Sequence, residues 1–410
     1  MTERLYYADS YLTGFEATLL EHDPSGQRLY LDQTAFYPTS GGQPFDLGLL
    51  RLASSATPLP VVDVVDEGER IAHVLAAPQP GLAAGQRLSG EIDWARRFDH
   101  MQQHSGQHLL SAVFQEQLGC ATLSVHFGAE SSTLDLDASS LSPEQLLTVE
   151  QRANALVWEN RELTLSTEDA QEAGGLRKPS TRSGALRIIS IAGLDRSACG
   201  GTHVRRTGEI GAIALRKLER VRKSVRLEFL CGARATRRAR ADYDALSRLS
   251  AQLSTSLDEL PAVMAARLVE LQRADKQGRE LSQRLAELEA RELYAQAAAH
   301  SAAGAPVVHW LRASSGTLPE LRTLAQCYIA QTRALFVATL EQPPSLLVAA
   351  AEDSGSDAAA LLRAALGAAG GRGGGNARLA QGSAPGAEGL ELALAALHAQ
   401  LGPAVSNSSR

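Results

Sequence analysis

Cysteine is scarce: four in 410 residues (Cys120, Cys199, Cys231 and Cys327), too few and too scattered for a disulfide framework. A secretory start is also missing, because the opening MTERLYYADSYLTGF mixes charge and aromatics where a signal peptide needs an apolar stretch. No apolar run approaches the ~18 residues of a membrane span. These absences set the expectation of a cytoplasmic protein with no membrane partner. An HExxH motif is absent too, which excludes the usual metalloprotease arrangement. The net charge of -6 and the pI near 6.0 give no overall nucleic-acid signature. What remains, 44% hydrophobic and 21% charged residues, is the make-up of a folded chain of about two to four domains.

Periodicity predicts an α+β multidomain chain. Residues 1–90 read as a β-rich, barrel-like domain, with alternating segments such as YLTGFEATLL and LPVVDVVDEGERIAHVL between Gly, Pro and Asp turns. Within it, Ser40-Gly41-Gly42-Gln43 admits two readings: a tight turn, or a loop bare enough for a ligand to approach its backbone. Residues 91–240 read as an α+β domain. Its first helix is capped by Asp93 or Asp99 and closed by Gly119; a second helix over 141–163 begins at Ser142-Pro143. CATLSVHFGAESSTLDLD alternates like a strand pair, placing His126 on a wall beside the first helix. Residues 241–300 read as a helical, coiled-coil-like arm. Leu257, Met264, Leu271 and Leu285 share one heptad position and Leu260, Ala274, Leu281 and Leu288 the other, interrupted by Gly278 and Arg267. Residues 301–410 alternate strand and helix patterns, as in a small α/β domain. Its glycine run, Gly370 to Asn376, reads as a linker or as an amide loop for phosphate or sugar, and the terminal SNSSR as frayed.

Two constellations carry chemistry. His100, His104 and His108 recur at i, i+4 in HMQQHSGQHLL, on one face of a helix, and CGGTH offers Cys199 and His203. Two imidazoles from the helix plus the Cys/His pair make a four-ligand set for Zn(2+), with His100/His104 and His104/His108 equally suited by spacing. Four protein ligands are normally a closed structural site; a catalytic reading needs the metal to orient substrate while another group aligns water. The second constellation is charge. Residues 204–240 hold twelve Arg and Lys against three Glu, which favours a phosphate-backbone partner over a basic strand pair neutralised by the acidic helix 143–163.

FYPTSGGQPFDLG, HSGQHLL, CGGTHV and GGRGGGNARLAQG stand in the order they take in alanyl-tRNA synthetase from its editing half onward. The chain resembles a free-standing alanyl-tRNA editing protein of the AlaX type, in its long form with a C-terminal domain, over essentially its whole length. With the SGGQ domain at its start and no amino-acid-activating half expected before it, the resemblance implies an enzyme that deacylates tRNA without charging it. It implies zinc ligands at His104, His108, Cys199 and His203, and places the SGGQ loop (Ser40, Gly41, Gly42, Gln43) beside the substrate pocket. Gln43, Thr202 and Ser124 become the candidates for catalysis and for bonding a substrate hydroxyl. His126, Arg216, Arg222 and Arg226 are expected on the substrate side, and Arg372 and Gly374 in a C-terminal nucleic-acid-binding domain. The chain departs from the synthetases at Ser124, where they carry Gln, and at Asn376-Ala377-Arg378 in the glycine run. The implied function is trans-editing, the zinc-assisted hydrolysis of tRNA(Ala) mischarged with Ser or Gly, with a homodimer through residues 241–300 or the C-terminal domain. The rival is a non-catalytic, zinc-containing RNA-binding protein. A DHH-type phosphoesterase is disfavoured because Asp99-His100 lacks the Asp-rich metal motifs.

Overall fold

Apolar residues at every second position close the first strands into a barrel. The computed structural model describes residues 1–53, 55, 57–179 and 183–402 and the backbone of 407–409. Two units, Met1–Gln252 and Leu253–Arg410, each pack around their own core. In the first lie β1 (Glu3–Arg4), β2 (Gly14–His22), β3 (Arg28–Leu31), β4 (Gln33–Thr34), β5 (Gly48–Leu52), β6 (Pro58–Asp66), β7 (Ile71–Leu75) and β8 (Arg87–Ile92). The barrel closes in the order β2-β3-β7-β6-β5-β8, and the short pair β1 and β4 lies apart from it. Phe15, Ala17 and Leu19 of β2 meet Leu29, Leu31, Leu50, Val61, Val64, Leu75 and Leu88 inside. Closure depends on β5 and β8, which the sequence segments did not single out; GLLRL and RLSGEI dilute their alternation with Arg and Gly.

After the barrel come α1 (Trp94–Leu118), β9 (Thr122–Phe127), β10 (Ser132–Leu136), α2 (Pro143–Trp158), β11 (Leu163–Asp169), β12 (Ala185–Ile191), β13 (Asp195–Ala198), β14 (Ile213–Val221), β15 (Ser224–Cys231) and α3 (Ala233–Leu253). Asp93 caps α1 by accepting the Arg96 N–H, and Gly119 ends it in the left-handed conformation, φ 65°. Ser142 and Gln145 form a capping box on α2, which stops at Trp158, before the expected 163, because Asn160 turns left-handed at φ 51°. One antiparallel sheet runs β14-β15-β10-β9 and a second β11-β12-β13. Their core joins Leu109, Val113 and Phe114 of α1 to Leu134, Val149, Ile189 and Phe229.

Barrel and helix are fastened by one buried ion pair. Arg97 on α1 and Asp46, just after the SGGQ turn, are both fully buried. Arg97 Nε donates to both Asp46 oxygens at 3.0 Å, Nη1 to Ser10 O at 2.8 Å and Nη2 to Ala35 O at 2.5 Å, while Asp46 also accepts the Tyr37 N–H at 2.7 Å. The guanidinium fork is thus shared among three separate segments of the barrel chain.

The second unit contains α4 (Leu260–Ala298), β16 (Val307–Ala313), α5 (Leu318–Tyr328), β17 (Ala334–Leu340), β18 (Ser345–Ala350), α6 (Ala358–Ala368), β19 (Arg372–Gly375), β20 (Leu379–Ser383), α7 (Ala387–Leu401) and β21 (Asn407–Ser409). Its sheet order is β19-β20-β18-β17-β16-β21, with α4 and α5 packed on one face and α6 and α7 on the other. The expected arm, 241–300, therefore divides: α3 belongs to the first unit and α4 to the second. On α4 the buried residues are Leu260, Ala286, Ala290, Leu293 and Ala297, so of the heptad residues Leu260 is buried whereas Leu271, Leu281, Leu285 and Leu288 are exposed. The glycine run is neither linker nor loop. It forms β19, paired to β20, because α6 lies so close that a Cβ at Gly373 or Gly382 would sit 2.8 or 2.4 Å from Leu366 Cδ1. Arg372 and Gly374 are exposed on this hairpin. The expected frayed tail instead pairs through Asn407–Ser409 with β16; Ser406 and Arg410 lie outside the described residues. No helix among the described residues is long and apolar enough to cross a membrane.

Removing one partner of a buried ion pair strands the other charge, at a cost of about 3–5 kcal/mol. Asp46→Ala is therefore expected to lower the urea-unfolding free energy of the chain by about that amount. The apolar double variant Asp46→Leu/Arg97→Met should lose less than Asp46→Ala alone. A loss below about 1 kcal/mol for Asp46→Ala would contradict the fastening role.

Candidate metal centre

Helical spacing brings two imidazoles together and a strand end delivers the rest. His104 and His108 lie one turn apart on α1, their rings stacked with centroids 5.3 Å apart. Strand β13 ends at Ala198, so Cys199 and His203 enter from the loop that follows. One ligand atom from each of His104, His108, Cys199 and His203 lies within 4.8 Å of the others, a group that could hold a metal ion. Cys199 Sγ is 3.3 Å from both His104 Nε2 and His203 Nε2. Gly201 is what lets the loop come so near, since a Cβ there would lie 2.2 Å from the His104 ring. His100 is buried but stands outside the cluster, which resolves the choice between the two helical pairs in favour of His104/His108.

Each imidazole has a different polar group beside Nδ1. His104 Nδ1 donates to Gln43 Oε1 at 2.8 Å, and His203 Nδ1 shares a hydrogen bond with Ser105 Oγ at 3.2 Å. His108 Nδ1 lies 3.4 Å from Asp195 Oδ2, an ion-pair separation, and both of its ring nitrogens are buried without a hydrogen-bond partner. Gln43 and Asp195 are themselves fixed. Gln43 Oε1 also accepts the Thr202 N–H, its amide donates to Thr202 Oγ1 at 2.7 Å, and Asp195 is held by Arg177 Nε at 2.7 Å and by Ser197. A proton held at Nδ1, as Gln43 holds it on His104, leaves the Nε2 lone pair free, which is how an amide or carboxylate behind a histidine prepares it for a metal.

Charge separates the thiol, His108 and His203. Burial opposes ionisation of the Cys199 thiol, yet the neighbouring His104 and His203 imidazoles hold it well below 9.0. Burial also pulls His108 down, but Asp195 and the thiol outweigh it and push it up to about 9. His203 sits at about 3, pulled down by burial against the thiol's attraction. A thiolate among three imidazoles, with an orphaned buried Nε2, is a three-nitrogen, one-sulfur donor set that fits a zinc-like cation.

The cluster opens into a cavity of about 580 Å³. Ser40, Gly41, His104, His108, Ser124 and Cys199 line it. Ser40 and Gln43 pair across a two-residue turn in which Gly41 and Gly42 have φ of 57° and 85°, so SGGQ forms the tight turn, with Ser40 and Gly41 at the cavity wall. Gln43 and Thr202 are buried behind His104 and do not line the cavity. Ser124 does, with its hydroxyl donated to Asp135 at 2.6 Å. Gly42 packs beneath the turn on Phe127, and His126 is exposed away from the cavity. The basic strands are largely neutralised, though not by α2. Arg226 is bidentate to Asp135 (2.7 and 2.8 Å), and Arg216 pairs with Glu228 and Asp242, while Arg222 is exposed at the hairpin tip.

Sequence reasoning missed Asp195, Ser105 and Arg187. Arg187 lines the cavity and donates from Nη1 to the carbonyls of Cys199 (3.1 Å) and Gly201 (2.6 Å), bracing the ligand loop. Only a carboxylate or arginine a few residues before the Cys/His pair would have signalled them, and such residues are too common to stand out.

Two family profiles match: "Threonyl and Alanyl tRNA synthetase second additional domain" over residues 186–227, and "tRNA synthetases class II (A)" over residues 14–96. The alanine–tRNA ligase of Pyrococcus abyssi is 33% identical over 72% of this chain, and the chain spans 33% of that enzyme's length. The alanyl-tRNA editing protein Aarsd1 of Mus musculus is 30% identical over 61% of this chain and 64% of its own. A solved structure, the C-Ala domain from Aquifex aeolicus alanyl-tRNA synthetase, aligns with 23% of this chain at 21% identity and a TM-score of 0.22. The alanyl-tRNA editing protein AlaX-M of Methanosarcina mazei is 34% identical over 55% of this chain and 94% of its own length, and with that coverage the chain belongs to the alanyl-tRNA editing protein family.

Proposed function

We propose that this chain is a trans-editing hydrolase that removes Ser, and also Gly, from mischarged tRNA(Ala). The observation that carries the proposal is the set of three imidazoles, with Gln43, Ser105 and Asp195 beside their Nδ1 atoms, gathered round one thiol at the wall of an open cavity. His104, His108, Cys199 and His203 would hold a zinc ion, which when bound supplies a Lewis acid to orient the substrate. An aminoacyl ester is already activated, so the chain's own work is positioning and charge stabilisation. The amides of Gly41 and Gly200 border the cavity and make no hydrogen bond among the described residues, which suits them to meet a developing oxyanion. Ser124 is the remaining hydroxyl partner for a seryl side chain, since Gln43 and Thr202 bond each other behind His104. Those two act as positioning residues. Their amide and hydroxyl keep the proton on His104 Nδ1. Self-association through the exposed leucines of α4 is a further part of the reading, supported by the exposure of Leu271, Leu281, Leu285 and Leu288.

Incubation with seryl-, glycyl- and alanyl-tRNA(Ala) is expected to release Ser and Gly and leave Ala attached. His104→Ala and Cys199→Ala should each slow seryl release by about 100-fold or more, the scale of losing one group from a preorganised site. No hydrolysis of any of the three by the unaltered chain would favour the non-catalytic RNA binder. Metal titration gives an independent readout. Gln43→Ala should weaken zinc binding by about 10–100-fold while His100→Ala leaves it unchanged, and equal affinity in both variants would overturn the role given to Gln43.

A further inference from the structure

A second pocket, of about 380 Å³, lies between the first turns of α1 and α3. Pro44, Arg96, Asp99, His100, Arg234 and Arg237 line it. It is one helical turn from the metal cluster, about 6 Å along α1 from His104 to His100. It also lies across the SGGQ turn from the first cavity: Ser40 and Gly41 border that cavity, and Pro44 borders this pocket.

Its charge is unbalanced in a region where most charge is paired. Three arginines face a single carboxylate, and Asp99 is fully engaged by Arg234, whose Nε donates at 2.9 and 3.0 Å and Nη2 at 2.7 Å. Arg96 bonds the Phe45 carbonyl and covers the Phe45 ring; neither it nor Arg237 enters an ion pair among the described residues. The neighbouring cations differ, since Arg216, Arg226 and Arg238 all have carboxylate partners. His100 is 96% buried, given its 4% exposure, and its Nδ1 has no hydrogen-bond partner. A buried polar atom without a partner is costly, and the ring that carries it lines a pocket with two guanidinium groups that enter no ion pair among the described residues. Guanidinium-bearing side chains lining one small space suit an anion with several acceptor oxygens.

We propose that this pocket is a phosphate site for the backbone of bound RNA, separate from the metal cavity and set on the opposite side of the SGGQ turn. The choice of RNA as the source of the phosphate rests on the editing function proposed above. In this arrangement Arg96 and Arg237 grip one phosphate from two helices, and the Arg234–Asp99 pair holds α3 in place against α1. Within residues 204–240, Arg237 is then one of the cations that enter no ion pair among the described residues, unlike Arg216 and Arg226.

The test uses the full chain and a labelled, uncharged minihelix of the tRNA(Ala) acceptor stem, with binding followed by fluorescence anisotropy as salt is raised. Arg237→Gln and Arg96→Gln should each weaken binding several-fold at about 0.1 M salt and lower the log–log salt slope, and the double variant should lower it by about one, the share of one phosphate. Arg237→Lys keeps the charge and should keep the slope. Arg237 is exposed and unpaired, so its variants fold as the parent does, and an unchanged thermal melt checks this. A double variant with the parent's affinity and slope overturns the site. Deacylation of seryl-tRNA(Ala) by the unaltered chain is measured separately. If that fails while the slopes shift as stated, the editing reading falls and the phosphate site stands.

Discussion

The buried pair between Arg97 and Asp46 is the constraint on which the site depends. Asp46 closes the segment that carries the SGGQ turn, and Arg97 lies two turns before His104 on α1, so one ion pair sets the barrel's loop against the histidine helix. Gln43 can reach His104 only because that register is fixed. Ser10, whose carbonyl accepts from Arg97, also receives the His203 N–H on its hydroxyl at 3.4 Å, which extends the same network to the Cys/His loop. A fully desolvated charge pair is a poor source of net stability but a strict setter of geometry, and a metal site needs geometry.

Around that frame the chain spends its buried polar groups on one purpose. Residues 102 to 108 of α1 are all buried, although most are polar, because Gln102, Gln103, His104, Ser105 and His108 each face a partner on another element. Gln103 exchanges two hydrogen bonds with the backbone of Cys231, and Gln102 bonds the Glu209 carbonyl, so the helix is held on the side opposite the metal ligands as well. The helix is thus a polar rod in an apolar shell, and its rigidity fixes where each Nε2 points.

Part of this was legible in the sequence and part was not. The spacing of His104 and His108 and the CGGTH loop are local patterns, and the family resemblance chose between the two histidine pairs before the fold did. Gln43 was legible as a site residue but not as one buried behind a ligand, because the direction of its side chain follows from the Gly41-Gly42 turn and the approach of Thr202. Asp195 and Ser105 left no local mark; their roles arise when β13 and α1 meet. The basic stretch 204–240 gave a true count and a partly false meaning, since the partners of Arg216, Arg226 and Arg234 come from β15, α3, β10 and α1. The glycine run misled for a steric reason. Glycine usually signals loops, but here its missing side chains make room for Leu366 above a strand pair.

X-ray absorption at the zinc edge of the metal-loaded chain tests the central claim most directly, because it reads the donor atoms themselves. The account predicts one sulfur at about 2.3 Å and imidazole nitrogens at about 2.0–2.1 Å, with the sulfur lost in Cys199→Ala. A shell of oxygen and nitrogen alone in the unaltered chain, or a sulfur that persists without Cys199, would contradict it.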